Sequence, residues 1–367
     1  LIPAMASVTE HLGFGVTANL TYESPYLFAR RMSTLDHLTK GRIGWNIVTG
    51  YLDSAARAAG LSGQIAHDDR YDLADEYMAL VYQLWEGSWE EGAVLANRQS
   101  GVYADASKVH LVKHKGPQYQ VQAMHLSEPS PQRTPLLYQA GSSARGSRFA
   151  ATHAECVFLN GQSMPAVKTI VDNIRSQAVG QGRAASDIQV WMGATIITAP
   201  TDAQAQEKFE EYKRYASSEG ALVHAAASMG IDFSKYDIDE PIETGKSQAI
   251  VSNVEAMTRS AGPQWTRRKL LSQMILGSRQ APWVGSAQTI AQQMIDWRDQ
   301  AGVDGFNLSR TVVPECFDDF IKEVVPCLQE RGAYKTEYAP GSFRKKLFGS
   351  DKLPATHTAA TYRQCLP

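Results

Sequence analysis

A repeated rhythm constrains this chain more than any single motif: short apolar runs alternate with longer amphipathic stretches along most of its length. Residues 13–19, 42–49, 135–140, 155–159, 188–197 and 305–309 are strand-like. Helical spacing of apolar residues occupies 25–40, 68–85, the stretch from the Gly141-Ser142-Ser143 turn to His153, and then 165–179, 202–217, 288–300 and 315–331. Pro25 falls in the first turn of its helix and Gly41 follows the end, the positions where each residue is favoured. In the second helix Leu73, Tyr77, Leu80, Val81 and Leu84 share one face. Strands of this kind, separated by helices, predict a parallel sheet covered on both faces. Six such units fit an open doubly wound sheet or most of an eight-unit barrel. No GxGxxG or GxxxxGK[ST] follows the early strands, which weighs against a dinucleotide or nucleoside-triphosphate site.

The chain opens on Leu1, and Met5 to His11 already show helical spacing with no cap before them. We read it as lacking its true N-terminus. Two more β/α units there would close a barrel, so the expected fold class is α/β, a TIM (β/α)8 barrel without its first two units. One barrel domain is expected over 1–336, with insertions at 86–130 and 218–282. Loops of such length on a barrel usually build the site or its lid, and 218–282 is expected to fold over the mouth. A C-terminal extension, 337–367, with a basic Arg344-Lys345-Lys346 cluster, is expected to pack across the surface or a partner subunit.

Composition narrows the partners. Of the 367 residues 43% are hydrophobic and 20% charged, which fits a soluble globular protein. A net charge of −2 recruits neither nucleic acid nor an anionic membrane, and no apolar run is long enough to span a bilayer. Cys156, Cys316, Cys327 and Cys365 have neither zinc-site nor disulfide-framework spacing, so a reducing cytoplasm is the expected location.

Three segments carry candidate chemistry, because barrel sites form where strands end. Asn46 lies among apolar neighbours in the second strand, which runs on through Thr49 and Gly50 to Tyr51. Its amide offers a donor and an acceptor to a heterocycle edge. The plainer alternative is an Asn bonded to a loop backbone. At a loop-to-helix junction, Arg70 and Tyr71 place a guanidinium and a phenol beside free helix N–H groups, a combination suited to phosphate. The plainer alternative there is a capped, charged helix start. After the third strand, Gly141, Ser142 and Ser143 lead into a helix, an arrangement that also suits an anion; the alternative is a turn with a Ser cap. His110, His114 and His125 fall in an irregular stretch without metal-ligand spacing, no HExxH or GxSxG is present, and Cys156 reads as core. Two readings stay open on these residues: a cofactor enzyme, and a barrel enzyme acting on a phosphorylated substrate.

Four blocks carry a resemblance: RRMSTLDHLTKGRIGWNIVTGYL (30–52), HDDRYDLADEYMALVYQLWEGSWEEGAV (67–94), SEPSPQRTPLLYQAGSSARGSRFAATHAECVFLNG (127–161) and AGVDGFNL (301–308). They resemble the luciferase-like two-component monooxygenases, in the group of long-chain alkane, dimethyl-sulfide, nitrilotriacetate and dibenzothiophene-sulfone monooxygenases. The resemblance implies a barrel of bacterial-luciferase type, reduced FMN (FMNH2) as co-substrate, dioxygen, and an NAD(P)H:FMN oxidoreductase partner. It implies oxygen insertion into a small apolar, organosulfur or alkane substrate by way of a flavin hydroperoxide, in a homodimer or homotetramer. Family phosphate positions fall on Tyr71, with Arg70 beside it, and on Ser142 and Ser143 after Gly141; Asn46 falls near the flavin ring or ribityl chain. Gly50 stands where relatives often have Ser. Tyr51 stands where the alkane enzymes have a catalytic His, which leans toward the dimethyl-sulfide branch. A non-catalytic flavin-binding paralogue or fragment is the alternative within the family.

Overall fold

The computed structural model describes residues 1–140, 143–161, 163–242, 265–276 and 280–364. Strands β1 (Phe14–Asn19) and β2 (Ile43–Val48) come first. Two small antiparallel hairpins follow, β3 (Val94–Asn97) with β4 (Val102–Ala104), and β5 (Val112–Lys115) with β6 (Gln120–Ala123). Then come β7 (Leu136–Gln139), β8 (Cys156–Leu159), β9 (Gln189–Thr198), β10 (Trp283–Gly285) and β11 (Gly305–Ser309). The main sheet runs β1-β2-β7-β8-β9, with both β10 and β11 on β9, and every pairing in it is parallel. The six predicted strands therefore stand side by side in chain order, as part of a β/α barrel. The seventh, β10, was not legible: three residues after a proline show no period.

The helix layer follows from alternation along the strands. In β2, Trp45 and Ile47 face outward. The Trp45 ring lies 4.4 Å from Phe28 of helix Pro25–Leu38 and 6.1 Å from Tyr77 of helix His67–Tyr82. Gly44 and Asn46 face inward; a β-carbon on Gly44 would press on the Tyr138 ring. Tyr138 stacks on Phe158 at 5.1 Å and meets Trp191 edge-on at 5.9 Å, so the lower lumen is filled with aromatic side chains. Helix Ile2–Ser7 starts before the 5–11 pattern and stops inside it, because Pro3 sets its first turn. The 68–85 and 315–331 helices each contain a π turn, at Gln83–Gly87 and Phe320–Val324. The first turns Trp85 and Glu86 inward.

Two long segments part ways. Residues 86–130 do not reach the mouth. They connect a helix to the start of β7, and so lie at the strands' N-terminal end and against the outer helices: Thr134 donates to Glu86, Arg133 to the Trp89 carbonyl, and Tyr119 packs on Tyr77. The described part of residues 218–282 reaches the barrel through Gln280. Helices Ser218–Met229 and Arg267–Met274 enclose a small core of Leu222, Phe233, Trp265 and Leu270. Gln280 then donates to the Gly193 carbonyl in the middle of β9 and accepts from the Gly161 N–H just past β8. The rest of the expected lid, 243–264 and 277–279, lies outside the described residues.

Within the basic cluster of the tail, Lys345 is exposed but Arg344 is not a surface residue. Arg344 is fully buried under the strands' N-terminal ends. It pairs with Glu155 at 2.6 Å and donates to the carbonyls of Gln132, Thr134 and Pro135, while Phe343 reaches the Tyr138 ring. Glu155, one residue before β8, in turn accepts from the Leu137 N–H. A carboxylate fixed below the sheet draws the guanidinium inward.

Candidate active site at the strand ends

Asn46 sits in register between Thr17 of β1 and Tyr138 of β7. Its Nδ2 donates to Thr17 Oγ1 at 3.1 Å, and its Oδ1 is buried without a partner. The amide is thus bonded to a side chain rather than to loop backbone. It leaves an acceptor facing the lumen, and a buried acceptor is stable there only when something donates to it.

The second and third segments meet. Helix His67–Tyr82 starts at Ala66 without any side-chain cap, so its first N–H groups are not taken up by the capping chemistry the sequence allows. Tyr71 is buried, and its hydroxyl faces Gln139 Nε2 at 3.5 Å and the side chain of Ser143. Burial, more than any charge, pushes the Tyr71 phenol above its ordinary range and keeps it a neutral donor. Ser143 caps the next helix, Ala144–His153, accepting from Gly146 N–H at 3.1 Å. The plain capping reading therefore holds for Ser143, without removing it from the cluster. Gln139 Oε1, at the end of β7, is buried and unpartnered.

Arg70 is the unusual member. It is 1% exposed, yet among the described residues no carboxylate pairs with it. It makes one hydrogen bond, from Nη1 to the Ile65 carbonyl at 2.9 Å, and its Nε is orphaned. Burial lowers its affinity for the proton, and only the phenols of Tyr71 and Tyr22 oppose that. By contrast Arg145 is committed, bonded to Asp72 at 2.9 Å and Asp75 at 2.6 Å while lying over the Tyr71 ring.

Tyr51 follows the end of β2, half-buried, and its hydroxyl has no partner among the described residues. Gly50 before it has φ +73°, and a β-carbon there would run into the Asn19 carboxamide. Glycine is favoured there by both conformation and space. Gly141 and Ser142 lie outside the described residues. The structure thus brings together Tyr71 and Ser143, sets Arg70 beside them, and puts Asn46 and Tyr51 on β2 and just past it. Gln139 was missed as a site residue, because nothing local marks a strand-end Gln whose partner lies 68 positions away. The three loop histidines each have a protein partner: His110 with Glu90, His114 with Glu76, His125 with Ser33.

Comparison with known proteins identifies the family. The luciferase-like monooxygenase family matches residues 1–305. The dimethyl-sulfide monooxygenase of Hyphomicrobium sulfonivorans is 47% identical over 365 residues, covering 99% of this chain and 76% of that protein. The long-chain alkane monooxygenase of Geobacillus thermodenitrificans is 46% identical over 365 residues, 99% of this chain and 79% of that protein. A crystal structure of a riboflavin lyase with modified FMN and riboflavin superposes with a TM-score of 0.92 at 39% identity, over 99% of this chain and 80% of that one.

Proposed function

Since the chain belongs to the luciferase-like monooxygenases, a family of flavin-dependent enzymes, we propose that it takes reduced FMN from a separate NAD(P)H:FMN oxidoreductase and transfers one atom of dioxygen to a small organosulfur or alkane substrate. The observation that carries this is the set of unsatisfied groups at the strand ends: Asn46 Oδ1, Gln139 Oε1 and Arg70 Nε, all buried and unpartnered. A ligand with a polar heterocycle and a phosphate supplies both the donors and the anion that these groups lack.

In this reading Tyr71 and Ser143 donate hydrogen bonds to the phosphate, together with Ser142, Gly141 and the free N–H groups of the helix start. Arg70 provides the charge. Asn46 holds the ring or ribityl edge from the lumen, and Gly50 lets the β2 turn approach closely. When bound, reduced FMN supplies the electrons that activate dioxygen. The chain's own part is to orient and to exclude water, with the 218–282 segment covering the mouth. Tyr51 Oη is the group proposed to donate a hydrogen bond or proton to the transferring oxygen. A phenol that donates one hydrogen bond suits attack by a soft sulfur, and this favours sulfides over alkanes.

The test is oxygen uptake with FMNH2 delivered by a reductase, with dimethyl sulfide and a long-chain alkane offered separately and hydrogen peroxide measured alongside. Coupled uptake with either substrate supports the reading. Uptake that ends wholly in peroxide with both would overturn the substrate class. Displacement of inorganic phosphate without any flavin binding would instead favour a phosphorylated substrate.

A further inference from the structure

We infer that Arg145 is a positioning residue for the flavin phosphate and acts through Tyr71, an inference that rests on the phosphate reading above. Arg145 stands in the first turn of helix Ala144–His153, and its guanidinium lies 5.3 Å from the centre of the Tyr71 ring. Two carboxylates hold it there, Asp72 at 2.9 Å and Asp75 at 2.6 Å. Asp75 is itself held. Its other oxygen meets His153 Nε2 at 3.2 Å, and His153 Nδ1 meets the buried Tyr82 hydroxyl at 3.2 Å. With Nε2 protonated, His153 donates to Asp75 and accepts from Tyr82, so the chain of bonds runs from the core to the cradle without a mismatch. On its remaining sides Tyr71 is packed by Phe149 at 5.4 Å and His67 at 5.3 Å.

Two consequences follow for the Tyr71 phenol. A cation over the ring face withdraws electron density and makes the O–H a stronger donor to an anion. The same stack fixes the ring plane, and with it where the hydroxyl points. Arg145 meets Tyr71 through the ring face, while its Nη2 is committed to the two aspartates. Its removal leaves no core void. Asp72 has a side chain 75% exposed, and the pair opens on a cleft of about 300 Å³ lined by Asp75, Arg145, His153 and Tyr362.

The experiment is a double-mutant cycle of Arg145→Met and Tyr71→Phe, read by fluorescence titration with FMN and with riboflavin, which lacks the phosphate. Arg145→Met is expected to weaken FMN about fivefold and leave riboflavin unchanged, and to add nothing once Tyr71 is Phe. An equal loss for both flavins would make Arg145 a purely structural residue and overturn the inference. So would an undiminished effect of Arg145→Met in the Tyr71→Phe background, since the charge would then act directly. If Tyr71→Phe alone leaves the FMN-to-riboflavin ratio unchanged, the phosphate reading falls and this inference with it.

Discussion

Replacing Arg70 by Met separates binding from stability in a way few substitutions do. Met keeps most of the stem volume and removes the charge. In the flavin complex, charge-assisted hydrogen bonds to phosphate contribute roughly 1.5–3 kcal/mol each. If Arg70 makes one such bond, FMN affinity should fall by roughly 10- to 150-fold while riboflavin affinity changes less than about twofold. The free protein should respond the other way. Arg70 is 1% exposed with no carboxylate paired to it among the described residues, and its side-chain hydrogen bond to the Ile65 carbonyl contributes about 0.5–1.5 kcal/mol. Against that stands the cost of an orphaned buried donor, about 1–3 kcal/mol, and of a desolvated cation. The ligand-free variant should therefore be as stable as the parent or up to about 2 kcal/mol more stable in urea unfolding, and should lose most of the extra stability that FMN confers. Isothermal titration with both flavins and unfolding with and without FMN make the measurement. An equal loss for FMN and riboflavin, or a free protein destabilised by more than about 1 kcal/mol, would refute the reasoning and make Arg70 a structural residue.

Three further outcomes are expected. Tyr51→Phe should leave flavin affinity nearly unchanged, slow oxygenation at least about tenfold, roughly 1.4 kcal/mol, and raise peroxide release; normal coupling in that variant would reduce Tyr51 to packing. Arg344→Met breaks a fully buried pair and leaves Glu155 charged beneath β8, so unfolding should show a loss of about 3–5 kcal/mol, with a loss below about 1 kcal/mol counting against the tail as part of the core. His125 is held neutral, lowered from 6.5 to about 4, chiefly by burial and then by Arg30 and His37. Above pH 6.5 neither state gains a proton there; between 6.5 and about 4 the unfolded chain does and the folded one does not, so stability should fall by up to ~3 kcal/mol on acidification, and His125→Gln should flatten that slope.

What the sequence disclosed depended on how local the cause was. Six strands and most helices were readable because period and punctuation are local: Pro25 sets a first turn, and Gly41, at φ +80°, ends the same helix. Tyr71 and Ser143 were readable as phosphate candidates because each sits at a helix start, a local signal, although their meeting is not. Gln139 was not readable, since its significance lies in an orphaned oxygen across the fold from any sequence neighbour. The burial of Arg344 was not readable in a tail expected to pack across the surface or a partner subunit; what buries it is Glu155, 189 positions away. Residues 86–130 read as a site loop by length alone. A connection from helix to strand lies at the barrel's lower end, and order along the chain could have said so.

The two ends of the strands treat buried charge in opposite ways, and this supports a site at the upper end. At the lower end Arg344 gives its hydrogens to Glu155 and to the carbonyls of Gln132, Thr134, Pro135 and Asp351; Arg42 spreads its own over Thr39, Thr9, Leu12 and Ala6. Arg70, equally buried at the upper end, has the Ile65 carbonyl alone. Unpartnered buried atoms occur elsewhere too, such as Tyr77 Oη and His125 Nδ1. Those two belong to neutral side chains; Arg183, Arg267 and Arg363 also have one unpartnered nitrogen each, but Arg183 and Arg363 keep two acceptors apiece and Arg267 is only half-buried, whereas a guanidinium as buried as Arg70 cannot shed its proton to escape. Of Arg344, Arg42 and Arg70, only Arg70 stands without a sufficient set of acceptors, so the missing acceptor should come from outside the chain. With Tyr71 beside it, and Asn46 Oδ1 and Gln139 Oε1 unpartnered toward the same end of the strands, these groups fit a ligand that is anionic in one part and a hydrogen-bond donor in another, as FMN is.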